Sequence, residues 1–482
     1  MARKLKRNLE ENIAILTDEL GIDISFDLIL RRITIGGKDA ALIFVDGLIK
    51  DHVTVDIMRT LMALTREDVL PNPLDKILRE GLPYFEVEVT DDLDDVILQV
   101  ISGPLVLLID GLEQVLIIDV REYPVRGIEE PDLERVTRGS RDGFVETSIF
   151  NTALLRRRIR DPRLRCKALK AGKRSQTDVI IVYIEDLAEP QLVEQIESSI
   201  AGVGVDGLPM GIKSLEEYVV GSTINPLPKV RYTERPDVAA AHLFEGHVAI
   251  IVDTTPAVAL APATAWHFTQ HAEEYFQHPV IGTYLRWVRT LGMVLSFILT
   301  PLWLALVMEK DILPEALSFL GPKGPTTLSL FTQFVILELG VDLVRMAFIH
   351  TPNALATSLG IVGAILLGDF AVKVGLFNEE TILYTAIAAI GTFATPSLEF
   401  GLAIRMFRLM TLILTGFFGL IGLAGGVVIT ILFFALTRSF DTPYLWPLVP
   451  FNFKPLMRLI FRTPVPDLRS RPATARPKQK PD

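Results

Sequence analysis

Three ionisable side chains interrupt an otherwise apolar stretch at residues 338–345, which read ELGVDLVR. If this stretch is helical, with about 100° between successive residues, Asp342 lies about 40° from Glu338 and Arg345 about 20° to its other side. The three charges then share one narrow face. Because a charged side chain at membrane depth costs about 3 kcal/mol on insertion scales, such residues are expected to pair or to face water or protein.

Two interpretations of this charged face remain open from the sequence. Arg345 can bridge Asp342 at i,i+3, which leaves Glu338 without a local partner and the three residues with one net negative charge. A net negative face suits a cation path or a buried pair between helices. In the other interpretation the helix lies at the membrane interface or re-enters the membrane, with its charges among lipid headgroups.

The surrounding sequence predicts a helical membrane domain over residues 281–437. The chain has 482 residues and a mean hydropathy of +0.37, which is high for a soluble protein. Four uncharged runs are each about long enough for a hydrocarbon core of roughly 30 Å. These four predicted spans are residues 290–308, 346–368, 381–398 and 409–437. The charged helix, at about 326–350, is a fifth segment that either crosses or re-enters.

The distribution of charge predicts the orientation. After residue 437 there are nine Lys or Arg against three Asp, so the positive-inside rule places residues 438–482, an interfacial segment with a basic disordered tail, in the cytosol. No signal-peptide pattern follows Met1, so the N-terminal half is also expected there. Both termini on one side require an even number of crossings, which four spans satisfy only if the charged helix does not cross. Otherwise another segment must not cross, or the last run must fold back at residues 422–426, GLAGG.

The N-terminal half reads as two related α/β subdomains, at residues 1–125 and 126–280. Each contains a Gly-Lys turn before a β-branched strand that ends in Asp or Glu, then a helix, and finally an apolar hairpin. This repeated order indicates a duplication, and we expect mixed strands with helices on at least one face. The predicted fold class is therefore an α/β cytosolic region of two related subdomains followed by an α-helical membrane domain.

Motifs for nucleotide, metal or cofactor binding find little support. Two Gly-Lys segments, GGKDAA and GKRSQT, lack the GxxxxGK[ST] spacing and read as hairpin turns. Cys166 is the single cysteine, and the histidines form no HExxH, so no disulfide, metal site or cofactor is predicted. His267, His271 and Glu274 would hold a metal at most weakly, and an exposed amphipathic helix is expected there.

A run of basic residues forms a second candidate surface. Arg156, Arg157 and Arg158, on a helix predicted from about Thr147, make a cationic patch. This patch can meet phosphate, lipid headgroups or an acidic neighbour, or it is a solvated face between the subdomains. Nucleic acid is not an expected partner, because the N-terminal half as a whole is acidic and lacks aromatic residues between its basic ones.

Further charges near the predicted spans could support the charged helix. Asp369 and Lys373 are i,i+4 and can neutralise each other near a helix end. Arg405 and Arg408 follow Glu399 and are expected to be headgroup anchors. Their alternative role is to pair with Glu338 across the helix bundle.

Several stretches resemble the A subunits of bacterial spore germinant receptors. They are RDGFVETSIFNTALLRRRI, GTYLRWVRTLG, ELGVDLVRMA, LGIVGAILLGDFAVKVGL and ATPSLEFGLAIRMFRL, and the resemblance covers nearly the whole chain. It implies a spore inner-membrane protein with a two-part cytosolic domain and no enzymatic activity. It also implies assembly as a homo-oligomeric cation channel beside other spore inner-membrane germination proteins. The family supplies no catalytic residues to transfer.

The sequence therefore supports two main hypotheses. In the first, the chain is an oligomeric channel subunit that releases cations during germination, with Glu338 and Asp342 on the ion path and Arg345 restraining them when closed. In the second, it is a non-conducting oligomeric scaffold that docks a separate channel or transporter, and the same charges pair between helices. A secondary transporter fits less well, because no repeat is found within the membrane half.

Overall fold

The computed structural model describes residues 3–82, 84–123, 134–221, 224–309, 321–322, 327–350 and 375–464. The chain forms two compact units. The described part of the α/β unit lies within Met1–Ser222 and Val230–Pro262, and that of the helical unit within Thr223–Lys229 and Ala263–Asp467.

The first subdomain of the α/β unit is a five-stranded sheet with helices on both faces. Its elements are α1 (Leu9–Leu20), β1 (Leu28–Ile35), β2 (Lys38–Val45), α2 (Asp51–Ala63), α3 (Arg66–Val69), α4 (Pro73–Lys76), β3 (Val87–Thr90), α5 (Leu93–Ser102), β4 (Leu105–Ile109) and β5 (Val115–Ile118). Apolar residues of α1 and α5 share one buried core with alternate residues of β2 and β4. The other residues of these strands pack against α2. The alternation of the strand side chains thus builds two cores.

The second subdomain repeats this plan. Its elements are α6 (Ser148–Arg158), β6 (Leu164–Ala171), β7 (Thr177–Ile184), α7 (Pro190–Ala201), α8 (Ile212–Val220), β8 (Arg231–Thr233), α9 (Pro236–Phe244), β9 (Val248–Val252) and β10 (Val258–Ala261). The strand order β6-β7-β9-β10-β8 corresponds position by position to β1-β2-β4-β5-β3 of the first sheet. The predicted pair of related α/β subdomains is therefore confirmed.

The strand pairing differs from the predicted mixed arrangement, because every pair of neighbouring strands in the described sheets is antiparallel. The alternation of strand and helix does join two parallel strands, β3 and β4, through α5. However, β5 lies between them in the sheet, so they are never neighbours. The Gly-Lys segments are hairpin turns, as predicted, and the first one places Gly36 and Gly37 at φ 55° and 78°.

The helical unit contains long apolar helices and a short C-terminal one. Its main elements are α10 (Glu273–Phe276), α11 (Pro279–Met308), α12 (Leu330–His350), α13 (Glu379–Phe393), α14 (Leu398–Leu436), β11 (Arg438–Ser439), β12 (Thr442–Pro443) and α15 (Phe453–Ile460). Within the described residues, α11 and α14 are long and apolar enough to cross a membrane, with mean hydropathies of 2.2 and 2.4. The predicted spans 290–308, 381–398 and 409–437 fall on α11, α13 and α14, whereas most of 346–368 lies outside the described residues.

The segment α14 consists of two helical arms that form a hairpin. The arms meet at Gly419, whose φ of 58° and ψ of −136° break the helix. The arms pack closely through small residues. A Cβ on Gly422 would lie 1.9 Å from the carbonyl oxygen of Leu414, and a Cβ on Gly426 would lie 2.7 Å from the hydroxyl of Thr411. Gly422 thus faces Leu414, and the later residue Gly426 faces the earlier residue Thr411, so the two arms run antiparallel. The last apolar run therefore folds back, just before GLAGG.

Polar and aromatic contacts stabilise this hairpin. The carboxylate of Glu309, which follows α11, accepts a hydrogen bond of 3.1 Å from the backbone amide of Leu420 at the start of the second arm. A carboxylate is favourable at a helix N-terminus. Farther from the break, Phe434 packs against both Phe400 and Phe407, with ring centroids 6.1 Å apart in each case. Glu309 thus caps the second arm at the break, and the aromatic contact joins the two arms at the end of the hairpin away from Gly419.

Candidate functional site

The charges of α12 meet the arginines of the first arm of α14. Glu338 Oε2 lies 2.8 Å from Arg408 Nη2 and 3.3 Å from Arg405 Nη2. Asp342 Oδ1 lies 2.6 Å from Arg405 Nη1. We call these four residues the ionic cluster. Their spacings, i,i+4 on α12 and i,i+3 on α14, put both members of each helix on the face that meets the other helix.

The ionic cluster is buried within the helical unit, except at one end. The Glu338 and Arg408 side chains are each 1% exposed and Arg405 is 5% exposed, whereas Asp342 is 35% exposed. Burying unpaired ions costs several kcal/mol each, so the pairing is what permits this burial. Of these four side chains, Asp342 alone is substantially exposed on the surface of the helical unit.

Arg408 joins four helices through one guanidinium group. Besides Glu338 on α12, it donates from Nη1 to the carbonyl oxygen of Ser296 on α11 at 2.7 Å. The same nitrogen reaches the carbonyl oxygen of Ala388 and the hydroxyl of Thr392 on α13, both at 3.4 Å. A planar fork with several donors suits this role, which a lysine could not fill. Arg408 is therefore a central polar contact of the bundle.

The pairing changes two expectations for the charged helix. The ionic cluster holds two carboxylates and two guanidinium groups and is therefore neutral, so Glu338 is not left without a partner. The i,i+3 bridge between Arg345 and Asp342 is not formed among the described residues, because Asp342 binds Arg405 on another helix instead. Of the two roles considered for Arg405 and Arg408, the geometry agrees with pairing across the bundle and not with headgroup anchoring.

The remaining supporting charges lie elsewhere. Glu399 is in the first turn of α14, where its Oε2 accepts a hydrogen bond of 3.0 Å from the hydroxyl of the N-cap residue Ser397. It belongs to the start of the helix and not to the ionic cluster. Asp369 and Lys373 lie outside the described residues.

A second buried ionic group, at the start of α11, was not expected from the sequence. The carboxylate of Glu274 is fully buried and pairs with Arg289 and with Arg286, whose Nε lies 2.7 Å away. The expectation of an exposed amphipathic helix here was therefore wrong. His267 is also buried, and its Nδ1 accepts a hydrogen bond of 2.9 Å from the backbone amide of Thr264. No group of three metal-ligating side chains is found among the described residues.

The predicted cationic patch at Arg156 is instead a buried contact. Arg156 and Asp27 are both 0% exposed, with Nε to Oδ2 at 2.7 Å and Nη2 to Oδ1 at 2.9 Å. Next to this pair, the backbone amide of Phe26 donates to the carbonyl oxygen of Cys166 at 3.0 Å. Of the partners considered for the patch, Arg156 therefore meets an acidic neighbour, and this neighbour lies in the other subdomain.

The other two arginines of this run also have specific partners. Arg157 lies over the ring of Tyr123, with Cζ 4.5 Å from the centroid. Arg158 donates from Nη2 to Asp142 Oδ1 at 2.7 Å. The expected helix start at Thr147 is confirmed, but the three side chains point to different neighbours. They do not form one cationic surface that is available to phosphate or lipid.

A family model and several known proteins match nearly the whole length of this chain. A family model described as Bacillus/Clostridium GerA spore germination protein matches residues 14–474. Stage V sporulation protein AF of Bacillus subtilis (strain 168) is 46% identical over 99% of this chain and 97% of its own length. Spore germination protein GerLA of Bacillus cereus is 29% identical, over 99% of each chain.

A solved structure is also similar to this chain. It is the N-terminal domain of the A subunit of the Bacillus megaterium spore germinant receptor GerK3, with 28% sequence identity and a TM-score of 0.44. The match covers 55% of this chain and 98% of that domain. The family match and the 46% identical relative confirm the resemblance seen in the sequence. This chain belongs to the Bacillus/Clostridium GerA spore germination protein family.

Proposed function

We propose that this chain is a membrane subunit of a spore germination complex and that it forms an oligomeric cation channel which releases ions during germination. Membership of the family supports the role in germination. The observation that carries the channel proposal is Asp342, a carboxylate that is 35% exposed on a helix whose other exposed side chains include Leu339, Leu343 and Met346. A carboxylate beside such an apolar surface is costly, and residues of this kind mark ion paths.

In this proposal Asp342 is the group that meets the permeating ion. Carboxylates from several copies form a ring, which favours cations over anions. Arg405, with Nη1 2.6 Å from Asp342, neutralises this charge in the closed arrangement. Arg405 thus takes the restraining role that the sequence suggested for Arg345. Opening separates the two groups and leaves a negative site for the cation.

Glu338 has a different part in the proposal. It is 1% exposed and bound by both arginines of α14, so it braces α12 against α14 instead of lining the path. Replacing Glu338 by Gln is expected to disturb the folding of the helix bundle more than it changes ion selectivity. The two carboxylates of ELGVDLVR are therefore assigned separate roles.

A non-conducting scaffold is the second candidate function. It is favoured by the neutral charge of the ionic cluster, since two carboxylates and two guanidinium groups leave no net charge to attract a cation. A buried, neutral cluster is also what a purely structural contact between helices requires. In this alternative the chain oligomerises and docks a separate channel or transporter.

The proposed location is the spore inner membrane, with several crossings and with both the α/β unit and the C-terminal tail in the cytosol. The basic residues after α14 support this orientation through the positive-inside rule. The second arm of α14 returns the chain to the end of the bundle where α11 begins, and Arg286 of α11 binds the carbonyl oxygen of Leu459 there at 2.8 Å. Other copies of the chain and other inner-membrane germination proteins are the proposed partners. No enzymatic activity is proposed.

Cation flux into proteoliposomes that contain the full chain alone tests the channel proposal. The Asp342→Asn variant removes the proposed ion-binding charge and is expected to reduce the flux or its selectivity while the oligomer stays intact. Asp441→Asn is the matched control, because Asp441 is exposed in the turn between β11 and β12. Equal flux from the wild-type chain and both variants would refute the assignment of Asp342. No flux from a well-folded oligomer would favour the scaffold.

A further inference from the structure

The short strands β11 and β12 form a hairpin directly after α14. We call residues 437–444 the junction hairpin, and its first residue, Thr437, is the C-cap of α14. Ser439 pairs with Thr442 across the hairpin. The backbone amide of Tyr444 donates to the carbonyl oxygen of Thr437 at 3.2 Å, and Ser439 and Tyr444 are both 0% exposed. The junction hairpin is therefore a buried continuation of the second arm of α14.

Ser439 bridges two other segments of the chain through one hydroxyl group. Its Oγ donates a hydrogen bond of 2.6 Å to the carbonyl oxygen of Lys229 and accepts one of 2.8 Å from the backbone amide of Ala263. A serine hydroxyl has one donor, so these bonds use the donor and one acceptor site. All three residues belong to the helical unit. Without the hydroxyl, the amide of Ala263, a residue that is 1% exposed, would lose its acceptor.

Lys229 and Ala263 flank an excursion of the chain into the α/β unit. Residues 223–229 belong to the helical unit, residues 230–262 to the α/β unit, and the chain is in the helical unit again from Ala263. The excursion carries β8, α9, β9 and β10, and thus three of the five strands of the second sheet. One buried hydroxyl therefore ties both ends of the excursion to the end of α14.

Two further hydrogen bonds hold the same segments. The side-chain amide of Asn225 donates to the hydroxyl of Thr437 at 2.5 Å, and the backbone amide of Ala265 donates to the carbonyl oxygen of Tyr444 at 2.9 Å. The Thr437 hydroxyl in turn donates to the carbonyl oxygen of Phe433, in the last turn of α14, at 2.6 Å. The segments before and after the excursion are thus each bonded to the junction hairpin at two points.

We propose that Ser439 is a positioning residue through which residues 230–262 and the end of α14 open as one cooperative unit. Proteins open locally in such units, and a shared buried contact joins two segments into one of them. The second arm of α14 runs from the break at Gly419 to the junction hairpin, so it is the helix that this contact couples to the second sheet. The inference goes beyond the channel proposal, because a channel and a scaffold would use the coupling equally.

Hydrogen exchange of the full chain in detergent, followed by mass spectrometry, tests this coupling. Ile251→Val removes one methylene group from β9, where Ile251 is 0% exposed. This change is expected to speed exchange of the β9 amides about 2- to 13-fold. Exchange at residues 430–437 should rise by a similar factor, because the two segments open in the same event.

The Ser439→Ala variant shows whether the hydroxyl carries this response. In the Ser439→Ala chain, Ile251→Val should still speed exchange in β9 but should leave exchange at residues 430–437 unchanged. The matched control is Ser397→Ala, which removes a hydroxyl that likewise donates one hydrogen bond and accepts one, at the start of α14. The response of residues 430–437 to Ile251→Val should persist in the control chain.

Three outcomes would overturn the proposal. In the first, residues 430–437 do not respond to Ile251→Val in the otherwise wild-type chain. In the second, the response persists in the Ser439→Ala chain. In the third, the response is lost in the Ser397→Ala chain as well, so that the loss is not specific to Ser439.

Tryptophan emission checks that the helical unit of each variant is folded. Asn225→Ala, which removes the bond to the Thr437 hydroxyl, replaces Ser439→Ala if that variant is misfolded. It should weaken the response of residues 430–437, and an undiminished response would overturn the proposal equally. Because hydrogen exchange is measured without ion flux, failure here is distinct from failure of the channel proposal.

Discussion

Replacing Arg156 by Met removes the cation from a fully buried, bidentate ion pair. Asp27 and Arg156 are both 0% exposed, and two hydrogen bonds of 2.7 and 2.9 Å join them across the two subdomains. After the change Asp27 is left as a buried carboxylate without its cation. The free energy of opening this contact is therefore expected to fall.

The size of the effect follows from the burial of both partners. Removing one partner of a buried pair costs about 3–5 kcal/mol, because the other charge remains buried. At about 1.36 kcal/mol per factor of ten, this cost raises the population of the opened form roughly 150- to 5,000-fold. Replacing both partners, with Asp27→Leu beside Arg156→Met, leaves no buried charge and is expected to cost about 1 kcal/mol or less.

Cys166 supplies the assay for this opening. It is the single cysteine of the chain and is fully buried, and burial raises the pKa of its thiol well above the usual range. The thiol therefore reacts with a maleimide only when the contact opens. The labelling rate of the full chain in detergent should rise by the factor given above in the Arg156→Met variant, and the double variant should label nearly as slowly as the wild type.

Tryptophan emission separates this local opening from general unfolding. All four tryptophans, Trp266, Trp287, Trp303 and Trp446, lie in the helical unit, so their emission should not change when only the α/β unit opens. The reasoning is refuted if the Arg156→Met variant labels at the wild-type rate, or if the double variant labels as fast as the single one.

Three further predictions concern other parts of the chain. Gly422→Ala should lower the stability of the helical unit by about 1–3 kcal/mol, because its Cβ would lie 1.9 Å from the Leu414 carbonyl oxygen. Gly425→Ala should leave the stability unchanged, because a Cβ at that position meets nothing within 4 Å. Thermal unfolding monitored by tryptophan emission compares the two variants. Arg408→Lys keeps the charge but loses the fork, and the same unfolding assay should show a loss of about 1–3 kcal/mol. Burial lowers the pKa of His247 to about 4, so only the unfolded state gains this proton between about pH 6.5 and 4, and stability should fall as pH falls through that window. Circular dichroism melts at pH 7 and 5 should show a smaller difference for His247→Asn than for the wild type.

The two sheets could be predicted from the sequence because their signals are local. Alternating apolar residues, Gly-Lys turns and helix starts such as Thr147 each depend on a few neighbouring residues. The sheet order could not be predicted in the same way, because the position of β5 between β3 and β4 depends on contacts between distant segments. The repetition of one plan was visible in the sequence, since both subdomains show the same local signals in the same order.

The ionic cluster shows the same limit at the level of side chains. The spacing of Glu338 and Asp342 and that of Arg405 and Arg408 each gave a helix face, and pairing across the bundle was one of the two alternatives. Only the three-dimensional packing of α12 against α14, which brings the four side chains together, distinguishes pairing from headgroup anchoring. Arg156 is the opposite case, because a run of three arginines suggests a surface although the first of them is buried. Nothing in the run itself distinguishes Arg156 from its neighbours.

The arrangement of the ionic cluster also constrains how the chain is made. Arg405 is 67 residues beyond Glu338, so a ribosome that adds about 5–20 residues per second synthesises it roughly 3–13 s later. During this interval α12 has left the ribosome without its cations. Until Arg405 is made, the carboxylate of Glu338 must be shielded by water or by the insertion machinery. Chains truncated before Arg405 would therefore be substrates for membrane quality control.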